Sequence, residues 1–203
     1  MKKDTQVWSA GTKSVSPPAL KPTLWRTCRV LANRNRLRIL QDILCIPGQN
    51  VTAMARKFDM PLSVVCKYLR EINARGLIKA RRETRFVSYH PIPDASVQQS
   101  SVLLQALAAS FREQKNPIES IFRTVTAFTH QRRIEILAAI SSGAKTFSGI
   151  RHKTGISTPA LVRHLRKLTR HGILQQAEGD EGYAIVDGRS TLQAALLKMA
   201  LGT

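Results

Sequence analysis

A chain of 203 residues, 43% of them hydrophobic, is long enough for two small domains with a core each. Its 32 Lys and Arg against 13 Asp and Glu give a net charge of +19, which leaves the fold open but favours a polyanionic partner. No apolar run approaches the roughly 20 residues of a membrane span, and Lys2-Lys3 has no apolar stretch behind it to make a signal peptide.

Residues 1–21 are polar and weakly basic, with Pro17-Pro18, and are expected to be a disordered tail. Residues 23–32 read as a helix with Leu24, Trp25, Cys28 and Leu31 on one face, and Asn33 either ends it or caps the next. That next helix, 36–45, carries Leu37, Ile39, Leu40, Ile43 and Leu44 and stops at Pro47-Gly48. A short helix at 53–58 and the tight connection Asp59-Met60-Pro61 lead into 62–77. There Val65, Leu69 and Ile72 recur at i, i+4 and i+7, and Gly76 sits at a left-handed C-cap. Residues 77–82 and 85–90 pair as a hairpin through Glu83-Thr84, with Arg81, Arg82 and Arg85 at its tip.

A helix over 96–113 follows, striped by Val97, Leu103, Leu104, Leu107 and Phe111 and broken at Asn116-Pro117. Helices are expected at 118–128, 131–140 and 146–154. The next, 157–173, has apolar Leu161, Leu165 and Leu168, then Gly172. A second hairpin joins 173–178 to 183–186, and a helix over 190–201 closes the chain.

Helix, tight turn, helix, hairpin is the order of a winged helix-turn-helix, whose second helix lies in a DNA major groove. The order occurs twice. Leu69 to Leu165 and Gly76 to Gly172 are both offsets of 96, and Leu37-Arg38-Ile39-Leu40 returns as Ile134-Glu135-Ile136-Leu137 at 97. Two separated anchors agreeing within one residue indicate an internal duplication.

The run Leu31-Ala32-Asn33-Arg34-Asn35-Arg36-Leu37-Arg38-Ile39-Leu40, then Ser63-Val64-Val65-Cys66-Lys67-Tyr68-Leu69, Arg75-Gly76-Leu77-Ile78 and Tyr89, resembles an ArsR-type winged helix-turn-helix domain. The second copy resembles it through 132–137 and 161–174, more divergently. The resemblance implies a repressor that binds operator DNA through a symmetric pair of winged helices. Family members that respond to metals carry cysteines on the helix before the reading helix, or Asp and His on the last helix. Residues 53–58 have no cysteine, and 96–111 and 190–201 have neither Asp nor His, so that role is not carried over and no cofactor is expected.

The fold class expected is mainly α with small β-wings: two tandem winged helix-turn-helix domains, at 22–94 and 117–203, joined by a helical segment at 95–116. The candidate DNA-binding residues of the first domain are Ser63, Val64, Lys67, Tyr68 and Arg70 on the reading helix and Arg81, Arg82 and Arg85 on the wing. Those of the second are Thr158, Ala160, Arg163, His164, Arg166 and Lys167. Lys and Arg suit guanine edges and phosphates alike. The wings differ in sign: Glu178, Asp180 and Glu181 make the second acidic, so it is expected to stay off the phosphate backbone.

Cys28, Cys45 and Cys66 match no metal spacing and read as buried free thiols in a reducing cytosol. His164 and His171 are two helical turns apart, too far to share an ion, and no arrangement of residues activates a nucleophile or cradles a phosphate. The function expected is therefore a non-enzymatic, cytoplasmic, nucleoid-associated regulator of transcription. Its partner would be double-stranded DNA bearing an imperfect palindrome. One chain would supply both winged helices as an intramolecular pseudo-dimer, with a homodimer as the other arrangement. A nonspecific nucleoid- or RNA-binding protein and a protein-interaction scaffold are the rival readings.

Overall fold

Side-chain caps set where half of the helices begin. The computed structural model describes residues 23–83, 86–176 and 182–202. The expected tail at 1–21, Arg85, and the acidic Glu178, Asp180 and Glu181 lie outside them. Helix α1 (Leu24–Leu31) is followed by α2 (Arg34–Cys45), and Asn33 caps α2 by accepting the Arg36 amide at 3.0 Å. Strand β1 (Gln49–Asn50) runs into α3 (Val51–Phe58), capped by the Asn50 side chain on the Ala53 amide. Asp59, in the left-handed region at φ 49°, turns the chain into α4 (Leu62–Asn73). Strands β2 (Lys79–Glu83) and β3 (Phe86–His90) form the expected hairpin, and β1 adds to β3, giving an antiparallel sheet of order β1-β3-β2.

Helix α5 (Ser100–Glu113) starts later than the apolar stripe suggested. The Asp94 carboxylate accepts from the Ser96 amide and hydroxyl at 2.9 and 2.8 Å, and Gln99 adopts φ 65°, so residues 94–99 turn instead of extending the helix. Val97 leaves the stripe and packs on Gly76. Then come α6 (Pro117–Ala127), α7 (Gln131–Ser141), α8 (Phe147–Thr154), α9 (Thr158–Arg170), β4 (Leu174–Gln176), β5 (Tyr183–Ile185) and α10 (Thr191–Leu201). Strands β4 and β5 pair antiparallel, and an isolated bridge joins Thr146 to Gly182 just before α8, as β1 joins β3 just before α3.

The interior is continuous. Helix α1 packs on α6 and α5 on α10, while α2 also meets α5 and α6. Cys28, Leu31, Leu103, Leu107, Ile121, Val125, Leu192 and Leu196 belong to one buried cluster with the cores beneath α4 and α9. Each fully buried leucine contributes about 1.5–3 kcal/mol relative to exposure. At the edge of this layer Arg34 of α2 makes a bidentate pair with Glu119 of α6 at 2.8 and 2.9 Å, its guanidinium 4.0 Å from the centre of the Phe122 ring. Both charged groups are largely exposed, so the pair orients more than it stabilises.

Gly76 and Gly172 hold the same place after α4 and α9, at φ 69° and 70°. A Cβ on Gly76 would lie 2.8 Å from Val97 Cβ, whereas one on Gly172 would meet nothing within 4 Å. Gly172→Ala should therefore cost only the left-handed backbone, about 1–2 kcal/mol, and Gly76→Ala clearly more. Urea unfolding of the two variants measures this; equal losses would contradict the packing of Val97 on Gly76.

Candidate nucleic-acid interface

Apolar residues sink one side of α4 and α9 and leave the other side to solvent. Val65, Leu69 and Ile72 are buried on α4, and Leu161, Leu165 and Leu168 on α9. On α4 this leaves Ser63, Lys67 and Arg70 exposed along one stripe. On α9 it leaves Thr158, Arg163, Arg166 and Lys167 exposed. Lys67 and Arg163 are each the sixth residue of their helix, and Arg70 and Arg166 each the ninth. None of these four cations makes a salt bridge among the described residues, so their charge is available to an outside anion.

Other predicted residues are placed differently. Val64, Tyr68 and Ala160 are half-buried, and Tyr68 and Ala160 pack against the core. The Arg36 guanidinium lies 5.5 Å from the Tyr68 ring centre, and Arg36 also pairs with Glu71, one turn further along α4. His164 faces inward: it is 8% exposed, with its ring centroid 4.7 Å from that of His130. It occupies the inward position that Tyr68 holds on α4. Burial is the main force holding its imidazole down, to about 4 from an ordinary 6.5, with the cations of His130, Arg133, Arg163 and Arg132 adding to it. Lys167 is lowered by desolvation and by Arg133 and Arg170.

The first wing presents Arg81 and Arg82 on β2, exposed opposite Ser88 and Val87. Sequence reading missed its apolar partner: Phe86 is 60% exposed at the start of β3, with Val87 also exposed. An aromatic at the tip of a hairpin beside arginines was the available signal, since wedges of this kind enter nucleic-acid grooves. Leu62 and Val162, also exposed, flank the basic stripes of α4 and α9.

The thiols divide. Cys28 is buried, and burial pushes it far above the ordinary thiol range, but Cys45 at the end of α2 is exposed and Cys66 on the flank of α4 is partly so. The expectation of three buried thiols thus holds for Cys28 alone, because the other two lie off the apolar faces. Among the described residues no three His, Cys, Asp or Glu side chains gather as a metal site, and no helix is long and apolar enough to cross a membrane.

Residues 130–176 match the family described as bacterial regulatory protein, arsR family. The match runs from the cap of α7 through α8 and α9 to the end of β4. The match therefore falls in the half whose resemblance to that family is the more divergent in sequence. Neither a curated protein nor a solved structure matches the chain.

The buried His164 has a consequence for stability. Its folded pKa of about 4 lies below the 6.5 of an unconstrained imidazole, so the unfolded chain binds the proton first. Its contribution is complete above pH 6.5 and is lost as pH falls toward 4, amounting to about 3 kcal/mol at most. Urea midpoints measured across that window should fall, and His164→Gln should flatten the slope by close to one proton. His130 and His171, shifted in the same direction by burial, supply the remainder. An unchanged slope in the variant would contradict the burial of His164 as a neutral ring.

Proposed function

We propose that this protein is a sequence-specific, double-stranded DNA-binding transcriptional regulator, acting as a repressor, in which one chain supplies two winged helices as a pseudo-dimer. The observation that carries the reading is the paired basic stripe: Lys67 and Arg70 on α4 and Arg163 and Arg166 on α9, at the same helical positions and without ion pairs among the described residues. The arsR-family match over α7–β4 supplies the regulator class for the second of these helices. The first helices of the two halves, α1 and α6, meet each other, as do the last, α5 and α10, which supports a pseudo-twofold relation and an internal duplication. The domains of this reading are 22–94 and 117–203, with 95–116 connecting them.

In the mechanism, α4 and α9 enter successive major grooves. Lys67, Arg70, Arg163 and Arg166 reach base edges and phosphates, and Ser63 and Thr158 contact the backbone beside each helix N-terminus. Arg81 and Arg82 carry the first wing along the phosphates, with Arg85 in the same wing. Tyr68, Ala160 and His164 position the helices from behind, and Val64 lies beside the stripe of α4. Because the two stripes differ in residue type, the operator is an imperfect palindrome. Covalent linkage makes engagement of the second half-site intramolecular. The protein acts in the cytoplasm, on the nucleoid, without a cofactor.

Two experiments test this. DNA fragments selected by the protein from a random pool should yield two unequal half-sites about one helical turn apart, bound by a single chain as judged from the mass of the complex. A pool with no enriched sequence, or a complex containing two chains per site, overturns the reading. Separately, Arg81→Ala combined with Arg82→Ala should weaken binding to all sequences alike and reduce the log–log salt slope by about 2. A changed sequence preference at constant slope would place these arginines on bases.

A further inference from the structure

Arg36 and Arg133 occupy the same place in α2 and α7, the third residue after the capping Asn33 and His130. Arg36 is answered by Glu71, the tenth residue of α4. The tenth residue of α9 is Lys167. Arg133 is 3% exposed; among the described residues its side chain makes no salt bridge and only one hydrogen bond, the 2.6 Å donation to Thr129 Oγ1, and its Nε has no partner. The Nε of Arg36 is likewise unpartnered, but there the charge is met by a carboxylate. In the second half a cation stands where the carboxylate belongs.

A cleft of about 640 Å³ opens over Arg133, between α1, the N-terminus of α7, and α9. Its walls include Arg29, His130, Arg163, His164 and Lys167, with Trp25 as the aromatic side, and among the described residues no acidic one lines it. The volume is that of a small-molecule site. The start of α7, where the His130 ring caps the Arg132 amide, adds the positive end of a helix dipole. Arg29 lies over the Trp25 ring, 5.7 Å from its centre, so one cation at the mouth is already oriented. We propose that this cleft binds a small polyanion bearing phosphate or carboxylate groups, whose charge replaces the carboxylate that Glu71 supplies in the first half.

Several observations agree with this. Desolvation, with the neighbouring cations behind it, holds His130, His164 and Lys167 below their ordinary values, and burial lowers Arg133 to about 10. No carboxylate offsets any of the four. An anion in the cleft would relieve the desolvated guanidinium, whose burial without a partner is costly. A small anion fits better than a DNA phosphate because Arg133 and His164 form a recessed floor behind the exposed Arg163 and Lys167. Arg163 belongs both to the cleft and to the exposed stripe of α9, so an occupant would hold a side chain that the proposed DNA contact uses. Binding in the cleft itself does not depend on that reading.

The test uses the full chain with Trp8→Phe, so that Trp25 alone reports. Inorganic phosphate, pyrophosphate and citrate are titrated at constant ionic strength, with chloride as the control, following fluorescence and the thermal midpoint. Pyrophosphate or citrate should change both, saturably and beyond chloride. Lys167→Glu, which restores the arrangement of the first half, should raise the anion-free midpoint and weaken the response about tenfold or more. If that variant fails to fold, the exposed Arg29→Gln should still weaken binding with an unchanged midpoint. A response no larger than chloride's, or one that survives both substitutions, overturns the proposal. So does a response to short duplex DNA alone, which would give the cleft to the backbone phosphate whether or not DNA binding is specific.

Discussion

Helices α1, α5, α6 and α10 each carry an apolar stripe too large for a small winged domain to cover, and the chain satisfies them against one another. Leu31, Leu107, Val125 and Leu196 come from four different helices and all are fully enclosed. Because that layer is common, everything attached to it inherits its geometry. Helix α4 touches α1, and α9 rests on α7, which rests on α10. The separation of the two basic helices is therefore set by a packed interior, which tolerates little sliding, and not by a hinge between independent bodies.

Charge is distributed with the same economy. Carboxylates are few, and four of them are committed to neighbours: Asp42 to Lys57, Glu71 to Arg36, Glu119 to Arg34 and Glu135 to Arg132. Asp42 also accepts from Gln49 at 2.7 Å, which ties α2 to the strand preceding α3. None is directed at the exposed cations of α4 or α9. Internal pairing thus concentrates the unneutralised positive charge on the faces and the cleft where an outside anion can reach it, and the high net charge acquires an address.

Much of this was legible in the sequence. Helical periods, the glycines at 76 and 172 and the hairpin before Pro91 gave the element order, because each reflects a local constraint. Places where local signals competed were harder. The stripe from Val97 onward reads as helix, yet Asp94 bonds to Ser96 and wins the first turn. His164 reads as a surface residue beside Arg163, yet the period of α9 turns it inward. The cleft over Arg133 was the least visible, since it joins α1 to α7 and α9 across more than a hundred residues. Its trace in the sequence is one exchange, Glu71 against Lys167, 96 residues apart like Gly76 and Gly172, and recognising it requires knowing that Arg36 is half-buried.

The pairing of α5 with α10 also bears on how the protein is made. Leu103 and Leu107 leave the ribosome about 90 residues ahead of Leu192 and Leu196, which cover them. At about 5–20 residues per second, α5 stays without α10 for several seconds, with only α2, already made, and α6, joined to it directly, as partners. During that interval the nascent chain exposes the same leucines that later unite its halves. Its vulnerability to aggregation is thus a matter of translation speed through residues 114–191, and slow codons there would lengthen the exposure without altering a single contact of the finished fold.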